Sequence, residues 1–330
     1  MGTASYTGAL DIGGTKMLAG IIDDSGELVV RRRIETRASR GAADVIARAA
    51  SLLRELAQEI GIATDGLTGI GCSVPGPLDS ERGVVIFSPN LAWRDVPLAA
   101  ALSEALGVFV KIEDDARCAA LGEARRGGAR GARNAVYVTI STGIGAGVIV
   151  NGRIYRGSHG CAGEVGHMTL DASGPPCACG NMGCFESLAS GSAIAARARQ
   201  AVLHGDETLL MRFRDEPALL TSEHVIDAAH RGDGVASRIL ETAALYIGIG
   251  LAAVATAYDP EVIVLGGGVI HPDGLLLRRA REVFSARVIA PLGSLVRIVP
   301  AELGDESALW GAAALMTGGT PLDARQVIDV

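Results

Sequence analysis

The sequence predicts an α/β fold made of two similar domains. Strand-like apolar segments alternate with helix-period segments along the chain. Glycine-rich turns follow three of the strands, at Gly13-Gly14, Gly143-Ile144-Gly145 and Gly266-Gly267-Gly268. The run Ala19-Gly20-Ile21-Ile22 after the first turn reappears as Ala146-Gly147-Val148-Ile149 after the second, as if one unit were used twice.

The elements follow in order. Strands are expected at 9–12, 17–22 and 27–34, joined by Gly13-Gly14 and Asp23-Asp24-Ser25-Gly26. Residues 42–60 carry a helical period through Ile46, Ala49, Ala50, Leu53 and Leu56. The apolar run 67–74 reads as a buried strand feeding a loop at Pro75-Gly76-Pro77. A helix over 97–106, a strand over 108–112 and a helix over 115–126 follow. The second unit then opens with strands at 135–141, 146–150 and 153–155, with a hairpin turn at Asn151-Gly152. Helices are expected at 191–203, 222–231, 234–258, 274–286 and 305–316, with strands at 261–265 and 295–299. The domain boundary is placed near 116: a small domain of residues 1–116 completed by a C-terminal helix of about 305–330, and a larger domain of 117–304.

With 330 residues, each domain is large enough to bury a core. A formal net charge of −7 argues against nucleic acid as the main partner. Residues 1–9 show no basic region followed by an apolar run, so no secretory signal is expected. The longest uncharged apolar stretch, 242–258, is shorter than the ~20 residues of a membrane span and contains Gly248 and Gly250, which favours a core helix. A soluble cytoplasmic protein with reduced thiols and no membrane partner is the expectation.

The most informative stretch joins Gly163-Glu164-Val165-Gly166-His167 to Cys177-Ala178-Cys179 and Gly183-Cys184-Phe185-Glu186. Three thiolates and one imidazole suit a closed tetrahedral Cys₃His zinc site. Buried thiols, or one disulfide beside a free thiol, are the other readings of three cysteines in eight residues. Cys72, Cys118 and Cys161 stand singly in apolar surroundings and read as core residues. Glu164 and Glu186 are interleaved with the cluster but are not needed by zinc, which suggests a brace for a polar binding site.

A glycine turn by itself is commonly a plain hairpin. Three of them, with Asp11 before the first and Thr15-Lys16 after it, point toward a nucleotide site: backbone N–H groups cradle phosphate, and Asp11 is placed to orient a hydrated Mg²⁺. Lys16 and Lys111 are the only lysines in the chain, so a lysine inside a glycine turn stands out. The first turn leads into a strand and lacks the P-loop ending, which excludes the P-loop and dinucleotide-binding motifs. Glu113-Asp114-Asp115 reads either as an acidic helix start or, at the junction of the two halves, as the site of a catalytic base.

Asp11 to Lys16, Pro75-Gly76, Ser88-Pro89-Asn90-Leu91, Glu113 to Glu123, Thr142 to Gly147, Gly163 to His167, Cys177 to Glu186 and Val264 to Gly268 occur in the order found in the ROK family of sugar kinases and repressors. The chain resembles the glucokinase branch over essentially its whole length. The resemblance implies a two-domain actin-like, ribonuclease-H-like ATPase fold with an interdomain cleft. It implies an ATP-dependent kinase acting on the 6-hydroxyl of glucose in carbohydrate metabolism, with N-acetylglucosamine, N-acetylmannosamine or another amino sugar as alternative substrates. ATP and Mg²⁺ would use Asp11, Gly13, Gly14, Thr15, Lys16, Thr142, Gly143, Gly266, Gly267 and Gly268. Asp115 would be the base. Asn90, Asp114, Asp115, Glu164, His167 and Glu186 would hold the sugar. His167, Cys177, Cys179 and Cys184 would hold a structural Zn²⁺. A homodimer or homotetramer is the implied assembly.

Two positions depart from the family's Asn-Asp-Ala-Asn run, which reads Asp114-Asp115-Ala116-Arg117 here. Asp114 sets a second carboxylate beside the base and loses an amide donor. Arg117 is expected to pair with Asp114 and offset that repulsion. Only ten residues precede Asp11, too few for a helix-turn-helix, so a DNA-binding repressor is not the expectation, whereas a non-catalytic sugar sensor is the alternative of another class.

Overall fold

The computed structural model describes residues 5–271 and 274–316. The chain divides into two compact units. One holds the chain up to Arg133 with Gly147–Ala162 and the segment from Glu302; the other holds Asn134–Ala146 and Gly163–Ala301.

In the first unit the strands are β1 (Tyr6–Ile12), β2 (Lys16–Asp23), β3 (Leu28–Glu35), β4 (Leu67–Val74), β5 (Leu78–Asp79), β6 (Val84–Ser88), β7 (Trp93–Val96) and β8 (Val110–Asp114). The main sheet runs β3-β2-β1-β4-β8, with β1, β2 and β3 antiparallel and β1, β4 and β8 parallel. Its helices are α1 (Ala42–Glu59), α2 (Leu98–Leu106) and α3 (Asp115–Arg126). The second sheet contains β9 (Ala135–Ile140), β10 (Ile144–Val150), β11 (Arg153–Ile154), β12 (Val262–Gly266) and β13 (Arg297–Pro300), in the order β11-β10-β9-β12-β13. Here β12 is parallel to both β9 and β13, and β10 pairs antiparallel with β11. Both sheets therefore repeat one plan, an antiparallel three-strand meander extended by two parallel strands. The remaining helices are α4 (Phe185–Ala189), α5 (Gly191–His204), α6 (Ser222–His230), α7 (Gly234–Tyr258), α8 (Leu275–Arg287), α9 (Leu292–Leu295) and α10 (Ser307–Ala314).

The elements form for local reasons and are held by burial. Helix α1 buries Val45, Ala49, Leu52, Leu53 and Leu56 on one stripe; each fully buried leucine contributes about 2 kcal/mol of transfer free energy. Asp114 caps α3 by accepting from the Arg117 N–H, and Asp233 caps α7 by accepting from the Ala236 N–H. Helix α10 packs closely on α3 and on β4. A Cβ at Gly71 would overlap the Ala312 carbonyl, and one at Gly311 the Cys118 carbonyl, so glycine is what admits the close approach. Glu123, fully buried on α3, ties this region together by accepting from Gly128 N (2.8 Å), Leu303 N (3.0 Å) and Ser307 Oγ (2.7 Å). Glu302 N also donates to it, at 3.2 Å, and a buried carboxylate with four donors is satisfied without a cation.

Several expectations change. The loop expected after Val74 contains the small antiparallel sheet β5-β6-β7. Its strands are two to five residues long and interrupted by turns, too short for an alternation pattern to register. One expectation holds in full: the helix expected at 234–258 is found with those bounds as α7, and taken whole it is long and apolar enough to cross a membrane, which the stretch 242–258 alone is not. Packing settles its role, because 61% of its most apolar window is buried in the protein and it lies against α4, α5, α6 and α8. Cys72 and Cys118 are buried as expected, but Cys161 is exposed. It lies in an irregular loop between Gly160 and Gly163, both with positive φ, where no apolar periodicity buries it. The last described helix ends at Ala314, and residues 317–330 of the expected C-terminal segment lie outside the described residues.

Candidate active site and zinc centre

In the first unit the site residues gather at the carboxyl ends of the parallel strands, where ligands of open α/β sheets bind. Asp11 is the penultimate residue of β1. Ser73 on β4 is its register partner and donates Oγ to Asp11 Oδ1 at 2.7 Å. Burial pushes the Asp11 carboxyl up to about 6, against the lowering effect of the Ser73 hydrogen bond; the charge of Asp115 also raises it. The Gly13-Gly14 turn closes with Gly13 N donating to Lys16 O at 2.9 Å, and Thr36 Oγ1 locks it by donating to Gly13 O at 2.6 Å. A Cβ at Gly14 would stand 3.0 Å from the Asn90 carbonyl, so Asn90 packs directly on the turn. Thr15 and Lys16 are exposed.

Register carries this arrangement to β8, where Ser73 lies beside Glu113 and Val74 beside Asp114. Asp115 opens α3 with an exposed side chain whose Oδ1 accepts from Ala116 N at 2.7 Å. Desolvation raises the Asp114 carboxyl well above its ordinary value. The Asp115 charge adds to this, and Arg117 opposes it. The expected pairing of Arg117 with Asp114 is corrected. Asp114 receives only the Arg117 backbone N–H, at 3.2 Å. The buried guanidinium turns to Glu113 Oε1 at 3.1 Å and to the Gly160 carbonyl. Glu113 is fully buried and also accepts from Arg156 Nε at 2.6 Å and Ser80 Oγ at 3.2 Å. Sequence reasoning noticed Glu113 only as part of an acidic triplet, and it missed Ser73, Ser80 and Arg156. The Ser73 contact was accessible from the β1/β4 register; Arg156 is 43 residues away from Glu113 with no sequence signal.

In the second unit Thr142 and Gly143 follow β9, and Gly266, Gly267 and Gly268 follow or end β12. These turns are joined by Val269 N donating to Ile140 O at 3.1 Å, and Gly267 has φ 91° with no room for a Cβ against Ile140. The Glu186 carboxylate accepts from Ile144 N at 2.8 Å and crosses the face of Gly143, where a Cβ would overlap it. Glu164 is exposed and precedes the short helical turn Val165–His167.

One ligand atom each from His167, Cys177, Cys179 and Cys184 lies within 4.8 Å of all the others. Cys179 Sγ and Cys184 Sγ are 3.7 Å apart, as are Cys177 Sγ and His167 Nδ1. Two sulfurs on a tetrahedral zinc with bonds of about 2.3 Å stand about 3.8 Å apart. The residues therefore fit the ion, and all six cysteines are free of disulfides. The brace is local: Cys184 occupies the N-cap position of the helix that bears Glu186, and Phe185 N donates to Met168 O at 2.8 Å. With His167 Nδ1 on the cysteine side, Nε2 is left for another partner. All the remaining nominated residues fall into two groups, Asp11 to Lys16, Asn90, Asp114 and Asp115 in the first unit and the others in the second.

The ROK family profile matches residues 7–318. The chain belongs to the ROK family. It is 34% identical over 312 residues to a glucokinase of Halalkalibacterium halodurans, covering 94% of each chain. It is 32% identical over 316 residues to the xylose repressor of Bacillus subtilis, covering 95% of this chain and 77% of the repressor. Among solved structures, the ROK hexokinase of Thermus thermophilus matches at 36% identity and TM-score 0.78, over 93% of this chain and 96% of that one. A ROK glucokinase of Streptomyces griseus, solved in complex with glucose and AMPPNP, matches at 32% identity and TM-score 0.79, over 94% and 99% of the two chains. The two sheets are those of the actin-like ATPase fold. ROK relatives thus include both sugar kinases and repressors at similar distance from this chain.

Proposed function

We propose that the protein is an ATP-dependent hexokinase that phosphorylates the 6-hydroxyl of glucose. The observation that carries this reading is the exposed Asp115 carboxylate, held at the start of α3 and at the end of the same parallel strands that present Asp11 and the Gly13-Gly14 turn. Asp115 takes the proton of the sugar hydroxyl as that oxygen attacks the γ-phosphorus, the bond from the γ-phosphorus to the β–γ bridging oxygen breaks, and ADP leaves. The backbone of Gly13, Gly14, Thr142 and Gly143, with Thr15 and Lys16, binds the phosphates, and Gly266 to Gly268 take the adenosine. Asp11 would hold the hydration shell of a Mg²⁺ ion, which would supply charge neutralisation to the phosphates. Asn90, Asp114, Glu164, His167 and Glu186 hold the sugar hydroxyls. His167, Cys177, Cys179 and Cys184 would hold a structural Zn²⁺, and that brace would orient the His167 imidazole and the helix start that carries Glu186, the orientation control that hydroxyl recognition needs. In its protonated form, favoured by burial, Asp114 offers one donor and one acceptor, the pair an asparagine would give. We infer a cytoplasmic homodimer or homotetramer from the same family resemblance.

A coupled ADP-release assay across glucose, N-acetylglucosamine and N-acetylmannosamine tests this. Turnover with glucose supports the reading, turnover with an amino sugar alone moves the substrate assignment, and no turnover on any hexose overturns it. The likeness to a xylose repressor favours one second reading, a sugar sensor without catalysis. That reading expects sugar binding by calorimetry with no ADP release.

A further inference from the structure

The first unit holds a cavity of about 830 Å³ that none of the residues assigned above to sugar, nucleotide or zinc lines. It lies along the edge strand β8, against α2, the β11 strand and the end of α10. Four cations line it: Arg82, Lys111, Arg153 and Arg156. Glu81 is the single carboxylate among the lining residues. In a chain of net charge −7, this is a concentrated excess of positive charge.

The cations are unevenly occupied. Lys111 Nζ donates to Leu315 O at 3.2 Å and stands 5.9 Å from the Phe109 ring, and Arg156 is held by Glu113. Arg82 and Arg153 have no side-chain hydrogen bond or ion pair among the described residues. Concave walls focus the field of such charges, and a phosphate dianion would receive several charge-assisted hydrogen bonds at once. Ser80 and Ser103 also line the cavity, as do apolar residues such as Val110 and Ile112. The volume is that of a small-molecule site.

The cavity is also wired to the strand end that bears the base. Ser80 and Arg156 both donate to Glu113, and Glu113 Oε1 accepts from the backbone N–H of Asp114 at 3.0 Å. An anion that draws on Arg156 competes with Glu113 for that guanidinium, so it acts on the residue immediately before Asp114 and Asp115.

We propose that this cavity is a regulatory site for a small phosphomonoester, whose occupancy is transmitted through Arg156 and Glu113 to Asp114 and Asp115. The transmission half rests on the kinase site described above; the binding half does not.

Calorimetry on the full chain at low salt, with saturating glucose present, tests it with three probes: inorganic phosphate, a hexose 6-phosphate and a nucleoside monophosphate. The paired variant Arg82→Glu with Arg153→Glu should bind phosphomonoesters at least tenfold more weakly while keeping its glucose affinity. The milder pair Arg82→Ala with Arg153→Ala should weaken them less and guards against misfolding of the first. Preference for the hexose phosphate or for the nucleotide identifies the source of the ester, and both keep the site. No probe binding to the unaltered chain, or binding that both variants leave unchanged, overturns it. Transmission is read as a change of threefold or more in glucose affinity when the phosphomonoester is bound, and an unchanged glucose affinity overturns that half. Because every readout is binding, a chain that failed to turn over any sugar would still report on the cavity.

Discussion

The two sheets share one strand order but end differently. In the first, β3-β2-β1-β4-β8 delivers side-chain charge to its carboxyl ends: Asp11, Glu113, Asp114 and Asp115. In the second, β11-β10-β9-β12-β13 delivers backbone, the turns at Thr142-Gly143 and Gly266 to Gly268. Its side-chain chemistry comes instead from an irregular segment outside the sheet, braced by a Cys₃His cluster around His167 and Glu186. A strand end fixes a carboxylate by register, at the cost of desolvating its charge, as the raised pKa of Asp11 records. A loop of similar precision needs a metal or an equivalent staple. On the proposed reading the first unit supplies the base, Asp115, with Asn90 and Asp114 for the sugar, and the second supplies the braced Glu164, His167 and Glu186.

The sharpest break in this comparison is Asp115→Asn. It should lower kcat by about 10²–10⁴, the usual contribution of a general base, while glucose affinity measured by calorimetry stays within a few-fold. Loss of binding in step with kcat would move Asp115 from base to gripping residue.

Glu113→Ala comes next, by loss of stability. It leaves the buried Arg117 guanidinium without its carboxylate, and breaking such a pair costs about 3–5 kcal/mol. Chemical denaturation should show a fall of that size with an unchanged m-value.

Asp11→Asn acts in the opposite direction. The folded-state pKa of Asp11 is raised from 3.8 to about 6. The stability associated with its protonated form is therefore complete below about pH 4 and lost as pH rises through 6. Removing the charge should stabilise the magnesium-free protein by up to about 3 kcal/mol at pH 7.5, with the gain shrinking toward zero below pH 4, while kinase activity falls. A stability gain independent of pH would contradict the buried-charge account.

The smallest effect is expected in the second sheet. Gly143→Ala places a methyl group against the Glu186 carboxylate, which must shift. A rise in KM for the sugar of about tenfold, roughly 1.4 kcal/mol, with little change in melting temperature would place Glu186 on the substrate. An unchanged KM would remove it from the gripping set.

Much of this division was legible in the sequence, for identifiable reasons. Helices α3 and α7 and strand β4 have the expected bounds because each carries its own punctuation: the caps Asp114 and Asp233, and Pro75-Gly76 after Val74. The cysteine spacing announced the cluster, and the glycine turns announced the repeated strand plan. What stayed hidden depends on distant pairing. Nothing near Arg117 indicates that its guanidinium prefers Glu113 to Asp114, since the choice is made by the direction in which β8 passes into α3 and by the loop that brings Gly160. Cys161 looked apolar in context but sits between two left-handed glycines. The β5-β6-β7 sheet has strands too short to leave a period, and the Arg82–Arg153 cavity assembles residues 71 positions apart.

The division of labour is tested most directly by a glucose titration of the purified protein before and after zinc is removed by chelation, with the metal content measured alongside. The expected result is one zinc per chain and a loss of glucose affinity of tenfold or more in the stripped protein, restored on adding zinc back. A protein that carries no stoichiometric zinc and binds glucose equally well with or without chelator would contradict it.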